Sequence, residues 1–207
     1  MNIGIIGAGN IGGTLAELFA RAGHQVALSN SRGPETLNNR VAELGPNVTA
    51  MTARDTARFG EIVIEAIPFG RYRDLPAEEL VGKIVVSASN YYPERDGEVD
   101  LRGGTQTELV ARHLGGSRVV KAFNTIFWKH LLEQGDTQLP PDERRAIFIA
   151  GDDAEAKRVI AGLIEELGFA AVDTGTLAGS TVQEPGAPVY NQELTAAEAR
   201  ERLEASG

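Results

Sequence analysis

Short apolar runs rich in β-branched residues alternate along the chain with segments whose apolar positions recur every three or four residues. The first kind of pattern predicts buried strands and the second predicts amphipathic helices. Asn2–Ile6 reads as a strand, followed by a helix over 11–22 with Ile11, Leu15, Leu18, Phe19 and Ala22 on one face and Gly23 at its stop. Gln25–Ser29 is a second strand. Residues 34–44 predict one helix, with Pro34 in its first turn, Leu37, Val41 and Leu44 on one face, and Gly45 as its cap. A short strand over 48–51, a short helix over 53–58, and strands over 61–67 and 83–88 follow.

Thr105 and Glu108 have the spacing of a capping box, which opens a helix running to 114. Residues 118–122 and 145–150 are further strands. After Asp152 and Asp153 comes a helix carrying Ala156, Val159, Ile160, Leu163, Ile164 and Leu167, with Gly168 ending it. A last strand lies at 170–172, and Thr195 with Glu198 caps a C-terminal helix.

Strand and helix in strict alternation require crossover connections. The expectation is an α/β, Rossmann-type doubly wound fold, with a mostly parallel sheet of about eight strands and helices on both faces. No composition shift marks a linker, so residues 1–207 form one domain in this reading. Residues 170–207 make a C-terminal extension that completes an acceptor site or a dimer contact. Two stretches break the rhythm, 90–104 and 175–192, both rich in Gly, Pro and polar residues. Long connections of this kind are often binding loops.

Composition narrows the function classes. Twenty basic against 29 acidic residues give a net charge of −9, which argues against a nucleic-acid or anionic-membrane partner. Cysteine is absent, removing disulfides, thiolate metal sites and a cysteine nucleophile. Met1 leads directly into an apolar strand with no basic leader, and the longest apolar run, 62–69, is far too short to span a bilayer. The expectation is a soluble cytoplasmic protein. Glycine is over-represented, at 24 residues, and its placement carries the strongest signal.

Gly7-Ala8-Gly9-Asn10-Ile11-Gly12 is G-x-G-x-x-G between a predicted strand and a predicted helix. Gly7 permits the tight turn, Gly9 lets backbone approach a pyrophosphate, and Gly12 lets the helix pack on the sheet. The free N–H groups and positive dipole end of that helix, at Asn10 and Ile11, suit the phosphates. At the end of the second strand an NAD site usually carries an acidic residue for the ribose 2′-hydroxyl. Here the chain reads Asn30-Ser31-Arg32. Ser31 can donate to a 2′-phosphate and Arg32 can grip it ionically, so the cofactor reading is NADP(H). The helix at Pro34 adds its dipole to this end.

These motifs resemble the F420-dependent NADP oxidoreductase family. The resemblance rests on residues 4–16, 29–37, 65–70 and 119–125, the last reading VVKAFNT. The ferric reductase domains of mammalian metalloreductases are similar in the same places. The resemblance implies hydride transfer between NADP(H) and a deazaflavin, coenzyme F420, and assigns residues 66–68 to the cofactor channel. Residues 87–98 and 183–191 depart from the family pattern, so the cofactor half carries over and the acceptor half does not.

Ligands in open α/β sheets sit beyond the carboxyl ends of the strands. Those ends are Ala66, Ile67 and Pro68, then Asn90, then Ala122 and Asn124. The small and apolar positions form a dry wall for a nicotinamide, and the two asparagines are polar anchors. Tyr91 and Tyr92 can stack on a flat acceptor or pack their loop, and Arg71 and Arg73 can meet an anionic tail. His24 falls at the wrong end of the sheet, His113 on a helix surface, and His130 nearest the expected site. No histidine pair has metal-binding spacing, and no nucleophile elbow or P-loop pattern occurs. Direct hydride transfer to a flavin-like or deazaflavin ring needs alignment rather than a nucleophile. Two alternatives stay open. One is an NADPH-dependent reductase of a small carbonyl or imine, for which the sequence offers no clear proton donor. The other is a non-enzymatic NADP(H) sensor. The expected partners are a small planar hydride acceptor and a second copy of the chain in a homodimer.

Overall fold

The computed structural model describes residues 1–205. Its strands, β1 (Asn2–Ile6), β2 (Gln25–Ser29), β3 (Val48–Ala50), β4 (Ile62–Glu65), β5 (Ile84–Ser87), β6 (Arg118–Lys121), β7 (Ala146–Gly151) and β8 (Ala170–Asp173), form one sheet in the order β3-β2-β1-β4-β5-β6-β7-β8. The first six run parallel, and β7 pairs antiparallel to β6. This is the mostly parallel, Rossmann-type sheet of about eight strands that the alternation predicts. The order reverses at β1, so a crevice opens beyond the carboxyl ends of β1 and β4.

Between the strands lie α1 (Asn10–Arg21), α2 (Asn38–Leu44), α3 (Ala53–Phe59), α4 (Ala77–Leu80), α5 (Pro93–Asp96), α6 (Gln106–His113), α7 (Trp128–Glu133), α8 (Ala154–Glu166) and α9 (Ala196–Glu204). Alternate strand residues feed opposite layers, as the two-residue period of a strand requires. Ile62, Ile64, Ile84 and Val86 pack with Leu15 and Phe19 of α1 and Ile160 of α8. Val63, Val85 and Val119 pack on the other face with Ala57 of α3, Leu80 of α4 and Leu109 of α6. Helices therefore cover both faces. A third cluster joins Phe148 of β7 and Val172 of β8 to Val189 and to Ala196 and Ala199 of α9.

The antiparallel step has a positional consequence. Only Ala150 and Gly151 of β7 overlap β6, paired with Lys121 and Val120. Most of β7, with β8 parallel to it, therefore extends past the carboxyl end of β6. The C-terminal wing thus stands beside the sheet edge where ligands bind in this fold.

Several local expectations change. The segment predicted as one helix over 34–44 splits into a 3-10 turn, Pro34–Leu37, and the short α2. The Thr36 hydroxyl donates to the Gly33 carbonyl at 2.8 Å, and this local bond competes with helical pairing. Two asparagines then open α2, and Asn is a weak helix former. A single 3-10 turn aligns too few peptides to supply the expected dipole. Residues 90–104 contain α5, and 175–192 contain a 3-10 turn, Ala178–Gln183. Both capping boxes form, Thr105 with Glu108 and Thr195 with Glu198. No helix among the described residues is long and apolar enough to cross a membrane.

Candidate functional site

Two cavities meet at the carboxyl edge of the sheet. The first, of about 600 Å³, is floored by the β1–α1 turn and walled by Asn30, Ser31 and Arg32 on one side and by residues 66–68 on the other. Gly7 has φ +116°, and a Cβ there would stand 2.4 Å from the Ala66 carbonyl oxygen. A Cβ on Gly12 would stand 1.8 Å from the Gly7 oxygen, which is the close helix packing expected of that position. Gly9 differs, because a Cβ there would meet nothing within 4 Å and would project into open space. It precedes α1, which has no side-chain cap and no acidic residue in its first turn. The free N–H groups at that helix end suit an anion brought close over Gly9.

The opposite end of this cavity is shaped by Asn30. Its Oδ1 accepts from the Arg32 N–H at 2.9 Å, and its Nδ2 donates to Thr36 Oγ1 at 2.9 Å. These bonds hold a turn that leaves Ser31 and Arg32 exposed on the cavity rim. Among the described residues the Arg32 guanidinium has no ion-pair partner, whereas Arg71, also lining the cavity, is paired with Asp74. Arg73 lies over the Tyr72 ring, away from the cavity. The residues fit a dinucleotide with a 2′-phosphate: a glycine turn open above Gly9, an uncapped helix start, and an unpaired arginine with a serine at the adenosine end.

The second cavity, of about 490 Å³, shares Gly9 and residues 66–68 with the first and also touches Asn10 and Ile11. Its walls carry five aromatic side chains, Tyr92, Phe123, Phe127, Trp128 and Tyr190. Phe123 is buried with φ +62°, a backbone region rarely used by a bulky residue, and such positions concentrate at functional sites. Phe127 is 47% exposed at the rim. Tyr92 and Tyr190 share a hydrogen bond between their hydroxyls, and the Arg95 guanidinium lies 5.0 Å above the Tyr92 ring. Burial and the Tyr92 contact push the Tyr190 phenol up from its ordinary range. Tyr190 and Asn191 come from the C-terminal segment, which the Asn191 N–H ties down through the Thr125 carbonyl at 3.1 Å.

The two predicted anchors line this cavity and also bind each other. Asn90 Nδ2 donates to the Asn124 carbonyl at 2.7 Å, and Asn124 Nδ2 donates to Asn90 Oδ1 at 3.1 Å and to the Gln183 carbonyl at 2.7 Å. They fasten β5, β6 and the C-terminal segment together. Asn124 Oδ1 is left buried without a partner among the described residues. Ala122 is corrected: it is fully buried in the core under α1 and α8 and reaches neither cavity. Its strand-end position suggested a lining role, but its side chain points into the packed layer. Tyr91 packs against Phe69 in the other layer, so of the tyrosine pair only Tyr92 faces the cavity. His24 bonds Glu166 at the far edge. His113 is half-buried against the Leu75 carbonyl rather than on the surface, and His130 pairs with Glu193.

Sequence reasoning missed the row beneath this cavity. Glu65, Ser87 and Lys121 are direct partners across β4, β5 and β6, on one face of the sheet, and each is at most 1% exposed. Glu65 Oε1 accepts from the Ser87 hydroxyl and, at 2.8 Å, from the Ser89 hydroxyl. Burial pushes the Glu65 carboxyl up to about 7, although the two serines, the Ile67 backbone and Lys121 pull it down. Burial likewise pushes the Lys121 ammonium down to about 8, against the attraction of Glu184 and Glu65. The signal was available in the sequence as a Glu closing the apolar run IVIE and a Lys following the two valines of RVVK.

Comparison with known proteins agrees with this geometry. Residues 2–91 match the family described as NADP oxidoreductase, coenzyme F420-dependent. A structure of a hypothetical protein, SMa0349 from Sinorhizobium meliloti, superposes with a TM-score of 0.83 at 37% identity, covering 94% of this chain and 95% of that one. A structure from Arthrobacter sp. FB24, described as a "putative f420 dependent nadp-reductase", superposes with a TM-score of 0.72 at 25% identity over 99% of this chain and 91% of that one. Metalloreductase STEAP3 of Rattus norvegicus is 32% identical over 182 residues, 86% of this chain. The chain spans about a third of that relative, 34% of its length. The glycine turn and the first five strands of the sheet fall within residues 2–91, so this part of the chain is what is similar to the NADP oxidoreductase, coenzyme F420-dependent family.

Proposed function

We propose that the chain uses NADP(H) to exchange hydride with a planar, flavin-like or deazaflavin acceptor held in the aromatic cavity. One observation carries the reading: the two cavities share Gly9 and residues 66–68. A dinucleotide anchored at Arg32 and the α1 N-terminus runs along this shared wall toward the aromatic side. Bound NADPH supplies hydride at its nicotinamide ring. The residues of the chain do the rest. Gly9 and the start of α1 seat the pyrophosphate, Arg32 and Ser31 select the 2′-phosphate, and Ala66, Ile67 and Pro68 keep water from the reacting faces. Tyr92, Trp128 and Tyr190 offer flat surfaces to a ring, and offset stacking of this kind orients it.

A second reading has its own support. The hydroxyl pair of Tyr92 and Tyr190 on the cavity wall is a proton source that the sequence did not reveal, and reduction of a carbonyl or imine needs one.

The test is binding of NADPH and NADH followed by oxidation of the preferred cofactor with coenzyme F420, FMN, a ferric chelate, and a small cyclic imine in parallel. Preference for NADPH with turnover on F420 or FMN supports the proposal. Turnover on the imine alone moves the function to the second reading, and turnover on the chelate alone moves it to metal reduction.

A further inference from the structure

We propose that Glu65 and Ser89 form a proton-delivery site beneath the acceptor cavity: the Glu65 carboxyl holds a proton and passes it through the Ser89 hydroxyl to an acceptor that takes up hydride and proton together. The proposal rests on the reading of the aromatic cavity as the acceptor site. It also narrows the acceptor class to conjugated molecules with a basic heteroatom.

The geometry is specific. Glu65 ends β4 and is 1% exposed. Of the two hydroxyls bonded to Glu65 Oε1, Ser87 is wholly buried, while Ser89 lines the aromatic cavity. Ser89 is therefore the outlet. Its backbone is pinned by Gln106 of α6, whose Nε2 donates to the Ser89 carbonyl at 2.9 Å and whose Oε1 accepts from the Tyr91 N–H at 2.6 Å. The charged group facing Glu65 is Lys121 of β6, and Glu184 of the C-terminal segment faces Lys121 in turn. From α6 come Gln106 and Thr107, neither of which titrates; Thr107 Oγ1 accepts from Lys121 Nζ at 2.9 Å. An apolar residue would complete β4 at no electrostatic cost, since buried ionic groups are commonly no more stable than apolar replacements. A carboxyl kept there, with one hydroxyl leading to a cavity, points to proton chemistry.

The step balances. NADPH, held by the Gly9 turn and Arg32, would supply hydride, a hydrogen leaving with the electron pair of its C–H bond, to one ring atom of the acceptor. The pair displaced through the conjugated system takes a proton at a heteroatom from Ser89 O–H. Glu65 O–H reprotonates Ser89, remains as a carboxylate facing Lys121, and regains its proton from water. A hydroxyl rotates freely enough to donate in either direction, so Ser89 serves both states.

The test has one readout that needs no acceptor. Infrared spectra of the full chain are titrated between about pH 5 and pH 9. The expected result is a protonated-carboxyl band that titrates near neutrality and is missing from Glu65→Gln. Its deuterium shift after transfer to heavy water should slow on the order of tenfold in Ser89→Ala, whose outlet is removed. With an acceptor the native chain reduces, both variants should lower the reduction rate on the order of a hundredfold and flatten its pH dependence, leaving NADPH affinity unchanged. Glu65→Gln keeps an oxygen for both serines, and a melting curve checks that it folds. Absence of the band, unchanged exchange in Ser89→Ala, or native rates with a native pH profile would each overturn the relay. If the native chain reduces none of the acceptors, the acceptor reading fails while the band and its exchange still decide the proton site.

Discussion

The two cavities are built by different means. The phosphate end of the nucleotide cavity is made of backbone, a glycine turn, an uncapped helix start and a strand end, with side chains taking over at Asn30, Ser31 and Arg32, and all of its lining lies within the first 68 residues save Arg71 and Asp74. The aromatic cavity is made of side chains drawn from the ends of β4, β5 and β6, from α7, and from the C-terminal segment around Tyr190. A backbone site tolerates little change in the residues that shape it and much change elsewhere. A side-chain site can be retuned one residue at a time. Substitutions can therefore separate the two cavities, and the largest effects belong to the backbone side.

Gly12→Ala and Gly9→Ala form the sharpest pair. The new Cβ at Gly12 would lie 1.8 Å from a backbone oxygen, which cannot move without reopening the turn. Destabilisation of about 3 kcal/mol is expected, read as a fall in melting temperature. At Gly9 the added Cβ meets no protein atom, so the melting temperature should hold while NADPH affinity drops. If Gly9→Ala melts early instead, the space above the turn serves packing and the phosphate assignment fails.

The buried row gives the next largest effect, and its sign is fixed by the two shifts. Glu65 is raised from 4.5 to about 7, so its contribution to stability is full below 4.5 and is lost as pH rises through 7. Lys121 is lowered from 10.5 to about 8, so its contribution is full above 10.5 and is lost as pH falls through 8. Together they leave the fold least supported between those two values. The stability advantage of the native chain over Glu65→Gln should therefore fall as pH rises from 4.5 to 7, by at most on the order of 3 kcal/mol. Denaturant titrations at a series of pH values measure this. A difference that stays flat would mean Glu65 and Lys121 titrate as one compensated pair.

How much of this was readable beforehand follows the same division. The glycine turn and the Ser31–Arg32 end were legible because each depends on residues a few positions apart whose local conformation the sequence dictates. Tyr190 was not, because nothing near position 190 signals that β7 reverses and carries the C-terminal wing over the end of β6. Phe123 was hidden for another reason: a positive φ at a phenylalanine is imposed by its surroundings and has no local signature. Ala122 shows the converse error. Strand-end position placed it in the right plane, and only the pleat decides which side of the sheet its Cβ faces.

Arg32→Ala isolates the adenosine end. The guanidinium has no ion-pair partner among the described residues, so its removal leaves no buried charge behind and should not disturb folding. NADPH affinity should fall by about 1.5–3 kcal/mol, the scale of a charge-assisted hydrogen bond, with NADH binding little changed. Calorimetry on both cofactors reads the difference, and equal losses would refute the 2′-phosphate role.

The smallest expected effect is the most diagnostic for the C-terminal segment. Tyr190→Phe keeps the ring on the cavity wall and deletes only the hydroxyl shared with Tyr92. Loss of one such bond is worth about 1 kcal/mol. If the segment belongs to the acceptor cavity, loosening it raises the KM for the acceptor and lowers the melting temperature by about 2–4 °C, with NADPH affinity unchanged. If the phenol pair is instead the proton donor of a carbonyl or imine reduction, kcat falls and KM holds, because the bond matters only as the proton moves. The two outcomes come from one variant and one assay, and they separate an aromatic wall that orients a ring from a hydroxyl that takes part in the chemistry.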